Sequence, residues 1–288
     1  MRVVTRFAPS PTGRLHLGHA FSALLAHDHA RDAGGAFLLR IEDIDLGRSR
    51  PEHVDSIIED LAWLGLEWDG AIVFQSERLP LYAEALGRLE EAGLVYPCFC
   101  TRSAIAAEIA ASASAPHGPD GPLYPGTCRR LSPEERDRRR AAEPPAWRLD
   151  TARASAAAGP LYWRDGDTEV QAEPQAFGDV VLARKDAPVS YHLAVTVDDA
   201  AQGVTDVVRG RDLYPATDVH RLLQCLLDLP TPLYRHHPLL LDGDGRRLAK
   251  RYGASTLGDL RAAGADPRAL VAALRSGRLP AGYSAVHA

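Results

Sequence analysis

The sequence lacks the features of a membrane or exported protein. No apolar stretch approaches the ~20 residues that a membrane-spanning helix needs. Met1 is followed directly by Arg2 and a strand-like run, whereas a secretory signal would place a long apolar segment there. We therefore expect a cytoplasmic protein with no membrane partner.

Cysteine is scarce, with four residues in a chain of 288. A disulfide framework is typical of much shorter secreted chains, so we exclude a disulfide-stapled fold. Cys98 and Cys100 lie two positions apart, and this spacing is more typical of metal ligands. An ordinary core is available, because 45% of the residues are apolar and the length allows one large domain or two modest ones.

An excess of positive charge is also missing, since the formal net charge is -5. Such a chain is not coated with basic side chains, but a local basic face can still bind RNA. Arg and Lys cluster in two segments, 128–140 and 245–251. The first cluster is interleaved with Glu134, Glu135 and Asp137, and a solvated helix face explains it equally well.

The first part of the chain alternates between strand and helix patterns. We predict strands at 3–7 and 36–42, and helices at 16–33, 51–66 and about 79–94. Strands that alternate with helices are typical of a parallel sheet covered by helices. The expected fold class is therefore α/β.

The pattern changes after the third helix. Residues 98–128 are rich in Ala, Ser, Gly and Pro, which indicates an insertion. The remaining predictions are short strands between about 146 and 197, two buried strands at 191–200 and 203–210, a helix at 217–228, helices at about 255–263 and 267–275, and a loosely ordered last dozen residues.

Two histidines lie at the start of the first predicted helix, after a loop at 10–13. His16 and His19 are three positions apart, so their side chains share one side of the helix. A helix start offers free N–H groups and a positive dipole end, which bind phosphate, and two imidazoles there could donate to phosphate oxygens in a transition state. Gly18 leaves room for a flat ring against the backbone. The alternative is a pair of ordinary surface histidines.

Four segments favour the phosphate site. They are APSPTGRLHLGH (8–19), RIEDID (40–45), VVRGRDLYPATDVHRLL (207–223) and RRLAKR (246–251), in this order. Together they resemble the signatures of class I aminoacyl-tRNA synthetases of the glutamyl and glutaminyl branch. The resemblance implies a Rossmann-like catalytic domain with a zinc-binding insertion and a short C-terminal helical piece.

The resemblance also implies a division of the chain and a set of ATP-handling groups. The catalytic domain would span 1–97 and 178–253, the insertion with its connective strands 98–177, and the helical piece 254–288. The catalytic residues would be His16, His19 and Lys250, and ATP with Mg²⁺ would be bound by His16, Gly18, His19, Arg247 and Lys250. Lys250 matches the second lysine of the family's KMSKS loop. The chain departs from that loop at Arg247, Ala249 and Arg251, although the positive charge is retained.

A substrate with a second carboxylate needs additional cations, and the planar guanidinium pairs well with carboxylates. Arg6 and Arg209 end predicted strands, so we expect both at the ligand edge of an open parallel sheet. Glu42 ends the second strand and would hold an ammonium group, and Tyr191 opens a predicted strand and would hydrogen-bond the ligand. These residues match the glutamate-binding positions of the glutamyl branch. That branch also uses backbone contacts from Phe7, Ala8, Pro9 and Ser10.

A third cysteine, Cys128, follows the CFC segment at 98–100. Three thiolates and one more donor complete a tetrahedral zinc site. His117 and Tyr124 are both candidates for the fourth ligand, and the pattern Cys-x-Cys followed by Tyr-x-x-x-Cys resembles one small family within the branch, which favours Tyr124. A lost metal site is the alternative. Cys225 lies in an apolar helical run and is expected in the core.

The segment after the KMSKS-like block is short, since only residues 252–288 follow Arg251. That length is too small for a second nucleic-acid-binding domain of usual size. The chain therefore resembles the glutamyl-Q tRNA(Asp) synthetases, which activate L-glutamate with ATP and esterify it onto queuosine in tRNA(Asp). We expect a monomer. The alternatives are a truncated glutamyl-tRNA synthetase that charges tRNA(Glu), another nucleotidylyltransferase, or a non-catalytic RNA-binding paralogue.

Overall fold

The computed structural model describes residues 2–111, 117–119, 121–241, 255–277 and 284–286. Its strands are β1 (Val4–Phe7), β2 (Ala36–Ile41), β3 (Val73–Phe74), β4 (Val95–Cys98), β5 (His117–Gly118), β6 (Gly121–Pro122), β7 (Ala146–Leu149), β8 (Tyr162–Asp165), β9 (Thr168–Gln171), β10 (Val181–Ala183), β11 (Asp206–Gly210), β12 (Leu233–His237), β13 (Leu239–Leu241) and β14 (Ser284–Val286). Its α-helices are α1 (Leu17–Asp32), α2 (Pro51–Trp63), α3 (Leu79–Glu91), α4 (Arg102–Ala111), α5 (Pro133–Ala142), α6 (Thr151–Ala158), α7 (Tyr191–Ala201), α8 (Ala216–Leu226), α9 (Leu257–Ala262) and α10 (Pro267–Arg275).

The N-terminal strands form a parallel sheet in the order β1-β2-β3. Phe37, Leu39 and Ile41 of β2 are fully buried, as expected for a strand of a parallel sheet whose two faces are covered. The register pairs Phe7 with Leu39. The carboxyl ends of β1 and β2 therefore lie side by side at one edge of the sheet.

A second group of parallel strands lies next to the first. β11 pairs with β12 and β12 with β8, while β9 adds an antiparallel edge. Val4 N donates to Thr205 Oγ1 at 2.8 Å, and Thr205 N donates to Val4 O at 2.9 Å. These bonds place β11 beside β1, so Arg6 and Arg209 lie on neighbouring strands. The α/β class predicted from the sequence is confirmed.

Two apolar cores hold the helices against these strands. The first surrounds β1 and β2, and α9 and α10 contribute Leu257, Leu270 and Leu274 to it. Each such leucine stabilises the fold by roughly 1.5–3 kcal/mol relative to an exposed one. The second core joins α3, α7 and α8 through residues such as Tyr82 and Leu193. The C-terminal helices are therefore attached to the same body as the N-terminal sheet.

A small antiparallel sheet carries the cysteine segment. Its strand order is β10-β7-β4, so it combines Val95–Cys98 with Val181–Ala183. The short hairpin of β5 and β6 lies in the same stretch of sequence. The division of the chain into domains at 97, 177 and 253 stays a prediction.

The prediction of a strand at 191–200 is wrong, because this segment is the helix α7 and Tyr191 is its first residue. Seven consecutive residues of α7 are buried, from Leu193 to Asp199. A helix that is buried on all sides shows no amphipathic period, and its β-branched residues imitate a strand. The strand predicted at 203–210 is present as β11, which begins at Asp206.

The end of the chain largely follows the sequence pattern. The helices predicted at 217–228, 255–263 and 267–275 are present as α8, α9 and α10. Of the last dozen residues, predicted to be loosely ordered, the structure describes 277 and 284–286. The prediction does not hold for β14, which pairs antiparallel with β13, and the other residues lie outside the described part of the chain. Among the described helices, none is both long and apolar enough to cross a membrane.

Candidate functional site

His16 and His19 form the N-terminal cap of α1. Gly18 N donates to His16 Nδ1 at 3.1 Å, and His16 N donates to His19 Nδ1 at 3.1 Å. The two ring centroids are 3.8 Å apart. A ring nitrogen that accepts a hydrogen bond carries no proton, so each imidazole must carry its proton on Nε2. Both side chains are therefore N–H donors at a helix start, which suits them to phosphate oxygens.

The loop before α1 lies against the end of β2. Glu42 N donates to Pro9 O at 3.0 Å, which brings the segment from Phe7 to Ser10 next to Glu42. Phe7 and Pro9 are buried, Ala8 is half-buried and Ser10 is exposed. The two sequence-predicted parts of the glutamate site, the backbone segment and Glu42, are thus brought together.

Behind Glu42 lies a buried ionic network that the sequence analysis missed. Arg6 Nε and Nη2 donate to Asp199 Oδ1 and Oδ2 at 3.0 and 3.3 Å. Arg40 Nη1 donates to Asp199 Oδ1 at 2.8 Å, and Arg40 Nη2 donates to Glu42 Oε1 at 3.4 Å. Asp199 belongs to α7, so this helix is joined to both β1 and β2.

Burial and charge act in opposite directions in this network. Burial raises the pKa of Glu42, and the opposing effect of Arg40 and Arg6 does not fully cancel it. Burial would also raise the pKa of Asp199, but Arg6 and Arg40 outweigh it and lower that pKa. The pKa of Arg40 is raised, because the three neighbouring carboxylates outweigh burial. Of the two carboxylates Glu42 and Asp199, Glu42 is therefore the one whose negative charge the neighbouring guanidinium groups compensate less.

A neighbouring carboxylate, Asp198, is completely buried and holds α3 in place. It accepts hydrogen bonds from Gln75 Nε2 at 2.8 Å, Arg78 Nε at 2.6 Å and Tyr82 Oη at 2.7 Å. In the sequence, Asp198 and Asp199 stand out only as two adjacent acidic residues at the end of an apolar run. Their partners come from β1, β2, α3 and the turn before α3, which is why the pair could not be assigned from the sequence.

Arg209 lies on β11 and is 4% exposed. Its Nη1 donates to Tyr191 Oη at 3.4 Å, and its Nη2 donates to Thr217 Oγ1 at 2.6 Å. The structure thus brings Tyr191 and Arg209 together, although Tyr191 reaches this place from a helix. The pKa of Tyr191 is raised by burial, against the opposing effect of Arg209. Within the described part of the chain, Arg209 forms no ion pair.

Three histidines form a chain of hydrogen bonds with Arg209, and they were given no role in the sequence analysis. His236 Nε2 accepts from Arg209 Nε at 3.1 Å, and His220 Nδ1 lies 3.3 Å from Arg209 Nη1. His192 Nδ1 lies 3.2 Å from His220 Nε2. Burial lowers the pKa of His192 and of His236 to about 4, and it lowers that of His220 well below its ordinary value. All three rings are uncharged at neutral pH.

The thiols of Cys98, Cys100 and Cys128 form one cluster, with the three sulfurs within 4.8 Å of one another. Tyr124 Oη lies 3.5 Å from Cys98 Sγ and 3.4 Å from Cys100 Sγ, and Cys100 Sγ lies 3.5 Å from Cys128 Sγ. His117 lies on β5 and does not belong to this cluster.

These spacings fit a tetrahedral zinc ion. With Zn–S about 2.3 Å and Zn–O about 2.0 Å, two sulfurs on a tetrahedron are about 3.8 Å apart and a sulfur and an oxygen about 3.5 Å. Burial raises the pKa of the Cys100 thiol to about 11, whereas hydrogen bonds, with that from the Phe99 N–H the largest, outweigh burial and lower the pKa of Cys128. A zinc ion would favour the deprotonated form of all three thiols.

Arg247 and Lys250 lie outside the described residues, as does the rest of the KMSKS-like block. The described chain resumes beside the histidine pair. Thr256 forms a β-bridge with His16, and Leu257 N donates to Leu15 O at 2.9 Å. Cys225 lies on α8 at the edge of the second apolar core, as expected.

Comparison with known proteins agrees with this geometry. Residues 2–284 match the family model of class I tRNA synthetases (E and Q), catalytic domain. The chain is 52% identical over 274 residues to a glutamyl-Q tRNA(Asp) synthetase of Rhodobacter capsulatus, covering 92% of this chain and 97% of that protein. It is 50% identical to a protein of the same name from Symbiobacterium thermophilum, covering 92% of this chain and 83% of the relative.

Solved structures of longer enzymes share the fold. A glutamate-tRNA synthetase from Elizabethkingia anophelis superposes with a TM-score of 0.80 at 27% identity, over 95% of this chain and 61% of that one. A glutamate tRNA ligase from Elizabethkingia meningosepticum, in complex with its amino acid, gives a TM-score of 0.78 at 27% identity, over 95% and 60% of the two chains. The present chain thus spans about three fifths of those synthetases. It belongs to the glutamyl and glutaminyl family of class I tRNA synthetase catalytic domains and, within it, to the glutamyl-Q tRNA(Asp) synthetases.

Proposed function

We propose that this chain activates L-glutamate with ATP to glutamyl-adenylate and then transfers the glutamyl group to queuosine in the anticodon of tRNA(Asp). The observation that carries the proposal is the 52% identity to a glutamyl-Q tRNA(Asp) synthetase, over nearly the whole length of that relative. The relative's length matters, because the same catalytic fold also occurs in the longer synthetases.

Glutamate would bind at the edge shared by β1, β2 and β11. Glu42 would hold the α-ammonium group, since burial leaves its charge poorly compensated. Arg209 and Tyr191 would hold the side-chain carboxylate, and the backbone from Phe7 to Ser10 would line the site. Arg6 contributes through Nη1, because Nε and Nη2 are already bonded to Asp199.

Activation requires positioning and charge stabilisation rather than a base. An oxygen of the α-carboxylate, already ionised, attacks the α-phosphorus of ATP, and the bond to the pyrophosphate oxygen breaks. His16 and His19 donate through Nε2 to the phosphate oxygens as negative charge accumulates, and Gly18 lets the adenine ring approach. Lys250 and Arg247 would neutralise the triphosphate, together with the Mg²⁺ that accompanies ATP.

Transfer follows at the carbonyl carbon of the adenylate. A hydroxyl of queuosine attacks that carbon, the bond to the AMP phosphate oxygen breaks, and the hydroxyl proton leaves with AMP or solvent. The cluster of Cys98, Cys100, Tyr124 and Cys128 would hold one structural zinc ion. Such an ion would be held by Cys98 at the end of β4 and by Tyr124 and Cys128 before α5, and it would connect these two segments.

The first test is isotope exchange between pyrophosphate and ATP. Exchange should occur with glutamate alone and should be weak with glutamine, because a neutral amide leaves Arg209 without a countercharge. Exchange that depends on glutamine, or that is absent without tRNA, would contradict activation as we propose it.

The second test locates the acceptor. Radiolabelled glutamate should be transferred to tRNA(Asp) from cells that make queuosine and not to tRNA(Asp) from cells that lack it. After nuclease digestion the label should remain with the anticodon fragment. Label at the 3′ end of unmodified tRNA(Glu) would instead identify a truncated glutamyl-tRNA synthetase, and exchange without any transfer would exclude the proposed acceptor.

A further inference from the structure

Arg209 differs from the other buried arginines in what surrounds it. Arg6 and Arg40 are both bonded to the carboxylate of Asp199. Arg209 is as deeply buried, but its hydrogen bonds within the described residues all go to uncharged groups. These acceptors are Tyr191 Oη, Leu213 O, Thr217 Oγ1, His220 Nδ1 and His236 Nε2.

The direction of each hydrogen bond follows from the guanidinium, which can only donate. His220 Nδ1 must accept from Arg209, so the proton of His220 is on Nε2 and is donated to His192 Nδ1. His192 therefore carries its own proton on Nε2. One arginine thus determines the tautomers of two successive rings.

The same reasoning applies on the other side of the guanidinium. His236 Nε2 accepts from Arg209 Nε, so the proton of His236 is on Nδ1, which lies 3.1 Å from Asp165 Oδ1. Asp165 is the carboxylate that this chain of bonds reaches, and His236 stands between it and Arg209. His236 accepts a hydrogen bond from Arg209 and donates one to Asp165, so the carboxylate of Asp165 is separated from Arg209 by this ring.

None of the three rings can become an imidazolium without losing a hydrogen bond. His220 and His236 accept from Arg209 and His192 accepts from His220, each through the lone pair of one ring nitrogen. The low pKa values of His192 and His236, near 4, agree with this arrangement. All five N–H groups of Arg209 are therefore oriented by uncharged acceptors, and no carboxylate among the described residues pairs with it. The longest of these bonds, 3.4 Å from Nη1 to Tyr191 Oη, is the one that a substrate carboxylate would replace.

We infer that His220 and His236 are positioning residues that determine the preference of this site for a carboxylate over an amide, by holding Arg209 with neutral acceptors. A substrate carboxylate then supplies the missing negative charge, while an amide leaves a buried cation unpaired. This inference rests on the proposed glutamate activation and adds the groups that make it selective.

The decisive variants change the charge of the acceptor but not its place. His220→Asp puts a carboxylate next to Arg209, as Asp199 is next to Arg6. Its ratio of kcat/KM for glutamate over glutamine in pyrophosphate exchange should fall by ~100-fold or more, mainly through a higher KM for glutamate. His220→Asn keeps a neutral oxygen acceptor and should stay within ~5-fold of the wild-type ratio. His53→Asn on α2 is the matched control and should change nothing.

A second pair of variants covers the case in which His220→Asp does not fold. His236→Gln can accept from Arg209 and donate to Asp165, so it should retain the ratio. His236→Leu can do neither and should lower the ratio by ~10-fold or more. A ratio in His220→Asp or His236→Leu equal to that of the wild type would overturn the inference.

A spectroscopic measurement separates positioning from mere folding. In protein labelled with ¹⁵N-histidine, the imidazole shifts should show His192 and His220 protonated on Nε2 and His236 protonated on Nδ1, unchanged between pH 6 and 8. Other tautomers, or titration of these rings in that range, would also overturn it. Failure of the proposed function is distinguishable, because the wild-type protein itself would then show no exchange with glutamate.

Discussion

Arg6 and Asp199 form a bidentate ion pair, with distances of 3.0 and 3.3 Å, although 193 residues separate them in the sequence. The pair joins β1 to α7 immediately behind the proposed glutamate site. Asp199 also holds Arg40 at 2.8 Å, so this carboxylate pairs with two buried guanidinium groups, of which Arg40 also lies near Glu42 and Asp198.

Asp199→Asn should therefore destabilise the protein strongly. It removes the charged partner that Arg6 has among the described residues and the closest of the three carboxylates beside Arg40, and loss of one member of a buried pair costs about 3–5 kcal/mol. The free energy of unfolding, measured by urea denaturation, should fall by about that amount. Asp186→Asn is the control, since Asp186 pairs with Arg184 on the surface, and it should leave the midpoint nearly unchanged. Wild-type stability in Asp199→Asn would refute the importance of this network.

Glu42→Gln tests the ammonium contact. At neutral pH the variant should show a KM for glutamate raised about 10–100-fold, because a charge-assisted hydrogen bond becomes a neutral one. Burial raises the pKa of Glu42, so the wild-type KM should rise as the pH falls through that raised value and the carboxylate becomes protonated. The KM of the variant should not rise as the pH falls. The same rise of KM in both proteins would assign the titration to another group.

His16 has two functions that can be separated by the choice of substitution. His16→Asn keeps an oxygen that can cap α1, whereas His16→Ala removes the cap and should cost about 1 kcal/mol of stability. Both variants should lose about 100-fold or more of the exchange rate, since neither supplies the Nε2 donor. Activity retained by His16→Asn would show that the residue only caps the helix.

The cysteine cluster should hold about one zinc per chain. Cys98→Ser, Cys100→Ser and Cys128→Ser should each release it, and thermal stability should fall with the metal. Tyr124→Phe should weaken zinc binding, because it removes the oxygen that lies 3.5 and 3.4 Å from two sulfurs. His117→Ala should have wild-type metal content by elemental analysis. The opposite result for Tyr124 and His117 would reverse the choice of fourth ligand.

Asp60 on α2 is fully buried, and Arg261 Nη1 on α9 lies 3.7 Å from its Oδ1. Burial raises its pKa to about 6. The folded protein then holds a proton that the unfolded chain releases above about pH 4, so stability should fall as the pH rises from about 4 to 6. Asp60→Asn should lack this fall and be more stable by about 1–3 kcal/mol at pH 7. Parallel stability profiles for the two proteins would contradict the raised pKa.

The elements that could be predicted from the sequence are those with local signals. β1, β2 and α1 follow from apolar runs bounded by a Ser-Pro-Thr-Gly loop, and the histidines at the helix start follow from the same boundary. Helix α7 could not be predicted, because its burial on all sides removes the helical period. The sequence was sufficient to propose Arg209 and Glu42 but not to show that one is surrounded by neutral rings and the other by guanidinium groups.

The metal site illustrates the same limit. Spacing alone identified three thiols and left Tyr124 and His117 as alternatives for the fourth ligand. The choice depends on the path of the chain between Cys100 and Cys128, where His117 enters the β5–β6 hairpin and Tyr124 turns back toward the thiols. No local pattern in that stretch encodes this path.

The hydrogen bonds between Val4 and Thr205 have a consequence for the synthesis of the protein on the ribosome. Among the described residues, Val4 on this side of β1 lacks its backbone hydrogen-bond partner until residue 205 and the following strand leave the exit tunnel. At about 5–20 residues per second, this takes about 10 to 40 seconds. During that interval β1 presents an unpaired edge that can associate with other nascent chains. A chaperone that holds nascent chains should therefore bind chains that end before Thr205 more strongly than chains that extend well past β11.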